Sequence, residues 1–137
     1  MPRIVPFRSA LLACGLLFSG LFTGASLSAQ DPGQMGFSDL QSQANELASK
    51  GRLIDAMPLL KELVDRVEKA DERDIQLDFP LFLIGTGHIQ TFIRTGNEAE
   101  LEEALTWYGK LEKEYPQSER MKDAMLKKVD VLRILGK

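Results

Sequence analysis

A chain of 137 residues, 44% hydrophobic and 27% charged, is sized for one small folded domain and is too apolar to stay disordered. Its single cysteine and single histidine exclude a disulfide framework and a Cys/His metal site. A formal charge of −3 leaves no basic excess to neutralise phosphates, which excludes a general nucleic-acid binder and a polybasic lipid attachment.

The first 29 residues differ in kind from the rest. Arg3 and Arg8 stand in a start without acids, residues 10–22 are almost wholly apolar or small, and Ser26-Leu27-Ser28-Ala29 ends the stretch. Basic start, apolar middle and small-residue end predict a secretory signal peptide over 1–29, removed after Ala29. Gly15, Gly20 and Gly24 interrupt the run and argue against an uncleaved anchor. Leu11-Leu12-Ala13-Cys14-Gly15 resembles a lipobox, but the main apolar run follows Cys14 rather than preceding it. Cys14 therefore reads as a small apolar residue within the leader. Cleavage would remove two of the seventeen bases and none of the twenty acids, leaving a charge of −5. The expected location is outside the cytoplasm, periplasmic or extracellular, without stable membrane insertion after cleavage.

Residues 30–36 read as a short polar linker with a Pro32-Gly33 turn signal. The helical domain spans 37–137. Ser38 and Gln41 have capping-box spacing at the start of the first helix, whose apolar face is Leu40, Ala44, Leu47 and Ala48. Gly51 ends it. The second helix carries Leu53, Ala56, Leu60, Leu63 and Val67. Pro58 predicts either a helix start near Asp55, with proline in the first turn, or a mild bend. The charged residues 70–76 form a loop or a solvated extension. A third helix is expected over 79–95, capped by Asp78 with Pro80 in its first turn. Its apolar face is Phe82, Ile84, Ile89, Phe92 and Ile93, and Gly85 and Gly87 point to close helix packing.

The most regular stretch is 96–136. Leu101, Ala104, Leu105, Tyr108, Leu111 and Tyr115 form one helical stripe, and Pro116 closes it. Ser118 caps the fifth helix, whose stripe is Met121, Ala124, Met125, Val129, Leu132 and Leu135. Helix, tight turn, helix with small residues at the crossing is the pattern of a helix-pair repeat.

On Ala104, Tyr108, Leu111 and Pro116 this stretch resembles the tetratricopeptide repeat family. Gly51, Ala56, Leu60 and Leu63 match the same spacing, with Leu60 in place of the usual aromatic. Tyr115-Pro116-x-Ser118, Ala124 and Leu135-Gly136 resemble the bacterial-envelope branch, which includes outer-membrane assembly lipoproteins and Tol–Pal-associated proteins. Residues 96–104 depart from the pattern by three extra residues relative to 51–56, which leaves the register of the third helix open. The resemblance implies an all-α fold: two antiparallel helix pairs in a right-handed solenoid, covered by a C-terminal capping helix. So short a stack leaves self-association, or membership of a longer array, open.

No catalytic constellation emerges. Gly85-Thr86-Gly87-His88 follows no strand and precedes no Lys-Ser/Thr, so it is not a phosphate loop. His88 has no metal-ligating companion and no adjacent nucleophile, and reads as a packed histidine. Glu98, Glu100, Glu102, Glu103, Glu112 and Glu114 read as a solvated face rather than paired catalytic carboxylates. The sequence therefore predicts a non-enzymatic protein with no cofactor and no metal. The resemblance implies that the first helix of each pair lines a concave groove for a peptide or partner segment. On that pattern the candidate binding residues are Gln41 and Asn45, then Thr86, Gln90 and Arg94, then Asp130 and Arg133. Trp107, adjacent to the stripe residue Tyr108, is a candidate surface contact, with packing on a neighbouring helix as the alternative. The competing expectation is a structural subunit docked permanently in an envelope assembly.

Overall fold

The computed structural model describes Asp31–Lys137; the expected leader over 1–29 and Cys14 lie outside the described residues. The described chain is all-helical: a 3-10 turn at Pro32–Gln34, then α1 (Phe37–Ser49), α2 (Leu53–Ala70), α3 (Asp78–Thr95), α4 (Ala99–Glu114) and α5 (Met121–Ile134). Each helix packs chiefly on its neighbours in the chain: α1 on α2, α2 on α3, α3 on α4 and α4 on α5. Three residues join α1 to α2 and three join α3 to α4, the connection of an αα-hairpin. Gly51 and Gly96 make these turns at φ 74° and 71°, a left-handed conformation that costs glycine little.

The repeated stripe is buried in both hairpins. Ala56, Leu60 and Leu63 on α2 and Ala104, Tyr108 and Leu111 on α4 share the same spacing, and all six are buried. Leu40 and Ala44 of α1 and Leu81 and Ile84 of α3 complete the same core. The two helical glycines sit at close contacts. A Cβ at Gly85 would fall 2.7 Å from Cε1 of Tyr108, and one at Gly87 would fall 2.5 Å from Sδ of Met57. These contacts account for glycine in mid-helix, where it otherwise costs about 1 kcal/mol against alanine.

Several local expectations are corrected. The Ser38–Gln41 capping box does not form: α1 begins at Phe37, its N-cap is Gly36, and no side chain caps it. Pro58 lies within α2, which begins at Leu53, so the proline is past the first turn. Its ring faces outward, and it removes one N–H from the helical ladder. Asp78 is the first residue of α3 rather than its cap, and its carboxylate accepts from Ser118 Oγ at 2.6 Å. Ser118 Oγ in turn accepts from the Arg120 N–H at 3.1 Å, closing the turn before α5. Residues 71–77 are a loop, entered through Asp71 in the left-handed region at φ 50°.

The described part of the linker is a docked strap. Met35 is buried, and the Arg66 guanidinium donates to the carbonyls of Pro32, at 2.7 Å, and Met35. Glu62 holds the same guanidinium at 2.7 Å. A planar fork of donors suits two carbonyls and a carboxylate at once.

α5 differs most from its expected stripe. Ala124 and Val131 are its buried residues, whereas Met125 and Val129 are exposed, together with Leu126 and Ile134. The line that faces the core is Ala124 and Val131, and Lys128, on the same side, reaches Glu112 on α4 at 2.5 Å. The helix covers α4 yet leaves an apolar side uncovered, unlike the polar outer face that a terminal cap requires.

Candidate functional site

Gln41 and Asn45 are one turn apart on α1 and both exposed. Thr86, Gln90 and Arg94 descend α3 by successive turns; Arg94 is exposed, Gln90 half-buried. Thr86 is committed internally. Its hydroxyl donates to the Phe82 carbonyl at 2.9 Å and lies 2.9 Å from the Tyr108 hydroxyl. With the threonine proton used on Phe82, the tyrosine is the donor. Among the described residues, no hydrogen bond or ion pair links the α1 strip to the α3 strip. The α1 strip presents two amides to solvent and the α3 strip a guanidinium with a half-buried amide, groups suited to the peptide bonds of an extended segment.

Asp130 and Arg133 pair with each other at 3.5 Å on the exposed side of α5. Trp107 is half-buried on α4 and packs against the core. Lys61 Nζ of α2 and Lys110 Nζ stand 5.7 Å and 5.8 Å from its ring centroid, within cation–π range. Its indole Nε1 is buried without a hydrogen-bond partner. The ring thus contributes to the α2–α4 seam, as packing on a neighbouring helix rather than as a free surface contact.

Sequence reading missed one buried polar pair. His88 Nδ1 lies 2.6 Å from Glu100 Oε2, and His88 is only 5% exposed. Its other nitrogen, Nε2, is buried and unpartnered. Glu100 belongs to the acid-rich start of α4, which reads as a solvated face, but it turns inward to this imidazole. A pair of buried imidazole and half-buried carboxylate ties α3 to α4. The helical stripes carry no signal for it, because the two residues lie on different helices and off both stripes.

The Tyr108 hydroxyl is the described group whose ionisation moves furthest. Burial pushes it up to about 12, and the hydrogen bond with Thr86 pulls in the opposite direction. An open depression of about 450 Å³ lies over Val67, Glu68, Asp71, Arg73, Leu77 and Tyr115. The Lys110–Glu68 ion pair crosses its rim. Among the described residues, no group of three or more His, Cys, Asp or Glu is placed to hold a metal ion. No described helix is long and apolar enough to cross a membrane.

The chain matches no protein-family model, and neither the curated proteins nor the solved structures contain a significant match to it.

Proposed function

We propose that this chain is a non-enzymatic, tetratricopeptide-like interaction module that works outside the cytoplasm and receives a segment of a protein partner. The observation that carries the reading is the repeated buried triplet, Ala56-Leu60-Leu63 and Ala104-Tyr108-Leu111, at one spacing in two successive helix hairpins. Stacked helix pairs of this kind create an extended concave surface along their first helices. The exposed amides and guanidinium of Gln41, Asn45 and Arg94, with the half-buried Gln90, supply donors and acceptors for an extended backbone. The extracytoplasmic assignment rests on the leader-like composition of residues 1–29.

The test is capture of a partner from the native envelope fraction by the purified protein. Asn45→Ala with Arg94→Ala should weaken capture without changing the helical circular dichroism signal. Trp107→Ala, at the α2–α4 seam, should leave capture intact wherever the variant folds. Undiminished capture by the folded double variant would remove the groove reading.

One observation favours a second reading, a subunit docked permanently in a larger assembly. Met125, Leu126, Val129 and Ile134 are exposed on α5, and permanent interfaces are apolar in this way. Loss of capture on Leu126→Glu, with the α1/α3 double variant capturing normally, would select it.

A further inference from the structure

The starts of α3 and α5 are joined residue by residue. Leu77, the N-cap residue of α3, donates its N–H to the Tyr115 hydroxyl at 3.3 Å. Asp78, next in the chain, accepts from Ser118 Oγ at 2.6 Å. Phe79 follows, and the Arg120 guanidinium lies 4.6 Å from its ring centroid, within cation–π range. Consecutive residues 77–79 thus hold, in order, the side chains that lead from the end of α4 into α5. Ser118 stands at the centre, donating to Asp78 and accepting the Arg120 N–H at 3.1 Å. One carboxylate in the first turn of α3 therefore reaches the start of α5 through a hydroxyl, and negative charge is favoured at both helix N-termini.

Little else fastens α5. Its buried residues are Ala124 and Val131, whereas α2 buries eight. It packs chiefly on α4. Past its first turn, the polar ties to the rest of the described chain are the pairs of Lys128 with Glu112 and Lys137 with Glu102, each at 2.5 Å. Both glutamates are open to solvent, which screens such pairs.

We infer that α5 is a hinged flap and that residues 77–79 are its latch. Closed, the latch holds α5 on α4. Released, it lets α5 leave α4 by turning at Pro116-Gln117, while α1–α4 stay folded. Asp130 and Arg133 ride on α5, so the latch also sets where they stand relative to α3. The inference stands apart from the groove reading, because it concerns contacts within the chain.

The test is native-state amide exchange of the full chain, read at Lys128 and Val131 in α5 and at Leu60 and Leu63 in α2. Asp78→Ala should quicken exchange at the α5 amides by about tenfold, the worth of one hydrogen bond to a charged group, and leave the α2 amides unchanged. Ser118→Ala should quicken them at least as much, since the Arg120 N–H also loses its acceptor. The two changes should not add. With Ser118→Ala already made, Asp78→Ala should alter α5 exchange by less than about twofold. Tyr115→Phe keeps the ring, removes the hydroxyl, and should quicken the same amides by about threefold, which covers an Asp78→Ala chain that fails to fold. Unchanged α5 exchange in the folded variants would overturn the inference. So would full additivity of Asp78→Ala and Ser118→Ala, or equal quickening of the α5 and α2 amides, which would mean that α5 opens only with the whole domain.

Discussion

The Tyr108 hydroxyl donates to Thr86 Oγ1 at 2.9 Å, while the edge of the same ring fills the space that a side chain at Gly85 would need. Two neighbouring residues of α3 thus fix one buried tyrosine of α4, one by a hydrogen bond and one by having no side chain.

The two helical glycines should answer alanine differently. At Gly85 the new methyl meets Cδ1, Cε1 and Cζ of a fully buried ring at 2.7–2.9 Å. Overpacking of this sort costs about 1–3 kcal/mol, against a helix-propensity gain of about 1 kcal/mol. Gly85→Ala should therefore lower the urea midpoint. At Gly87 the methyl meets Sδ and Cγ of Met57, a flexible side chain that can shift. Gly87→Ala should change the midpoint much less, and in either direction. Equal losses at the two sites would show that the Tyr108 contact is not the rigid one.

Tyr108 also makes stability depend on alkaline pH. Its folded ionisation constant, about 12, lies above the ordinary phenol value of 10.0. The unfolded chain releases that proton more readily, so the contribution is fully present below pH 10 and is lost as pH rises toward 12. The stability difference between the wild type and Tyr108→Phe should narrow across this window. At neutral pH the phenylalanine variant should lose about 0.5–1.5 kcal/mol, the usual worth of one hydrogen bond. Parallel pH profiles for the two proteins would show that Tyr108 titrates normally.

Glu100 and Glu102 read alike in sequence and differ in place. Glu100→Ala deprives a buried imidazole of its partner at Nδ1 when Nε2 already lacks one, at a cost of about 1–3 kcal/mol. Glu102 makes an exposed ion pair with Lys137 at 2.5 Å, of a type worth about 0–1 kcal/mol. Chemical denaturation should rank Glu100→Ala clearly below Glu102→Ala. The reverse order would mean that the imidazole finds another acceptor.

Arg66→Ala should release the strap at Pro32–Met35 while leaving α1–α5 folded. Amide exchange at Gln34 and Met35, whose N–H groups bond to Asp31 and Pro32, is the direct readout. Arg66→Lys should restore little protection, because an ammonium cannot present the planar fork that spans both carbonyls. Unchanged exchange in the alanine variant would leave Met35 burial as the sole anchor.

What can be read in advance follows from what periodicity encodes. The stripes of α2 and α4 are legible because each has one apolar side, and Ala56, Leu63, Ala104 and Leu111 fall on it. The need for glycine at 85 and 87 is legible for a related reason: an interior glycine is unfavourable unless something comes close. α5 resists this reading because Met125, Leu126, Val129, Val131, Leu132 and Ile134 surround most of the helix, so more than one stripe can be drawn. The choice falls to tertiary packing against α4, which buries Ala124 and Val131. The Arg66 clamp and the His88–Glu100 pair join separate elements through side chains that no stripe contains. Of the candidate binding residues, Gln41, Asn45 and Arg94 stand exposed, whereas Thr86 spends its hydroxyl on Phe82 and Tyr108.

The neighbour-to-neighbour packing of the helices also bears on how the molecule opens and closes. Its interfaces can form without first closing a long loop, so the folding barrier carries little loop-closure entropy and folding should be fast for this size. Local opening should be graded along the chain rather than all-or-none. α5 packs chiefly on α4 and can peel away first, while α2, held by α1, α3 and the strap, opens last. Native-state hydrogen exchange would then rank the amides of Val129 and Val131 well ahead of those of Leu60 and Leu63.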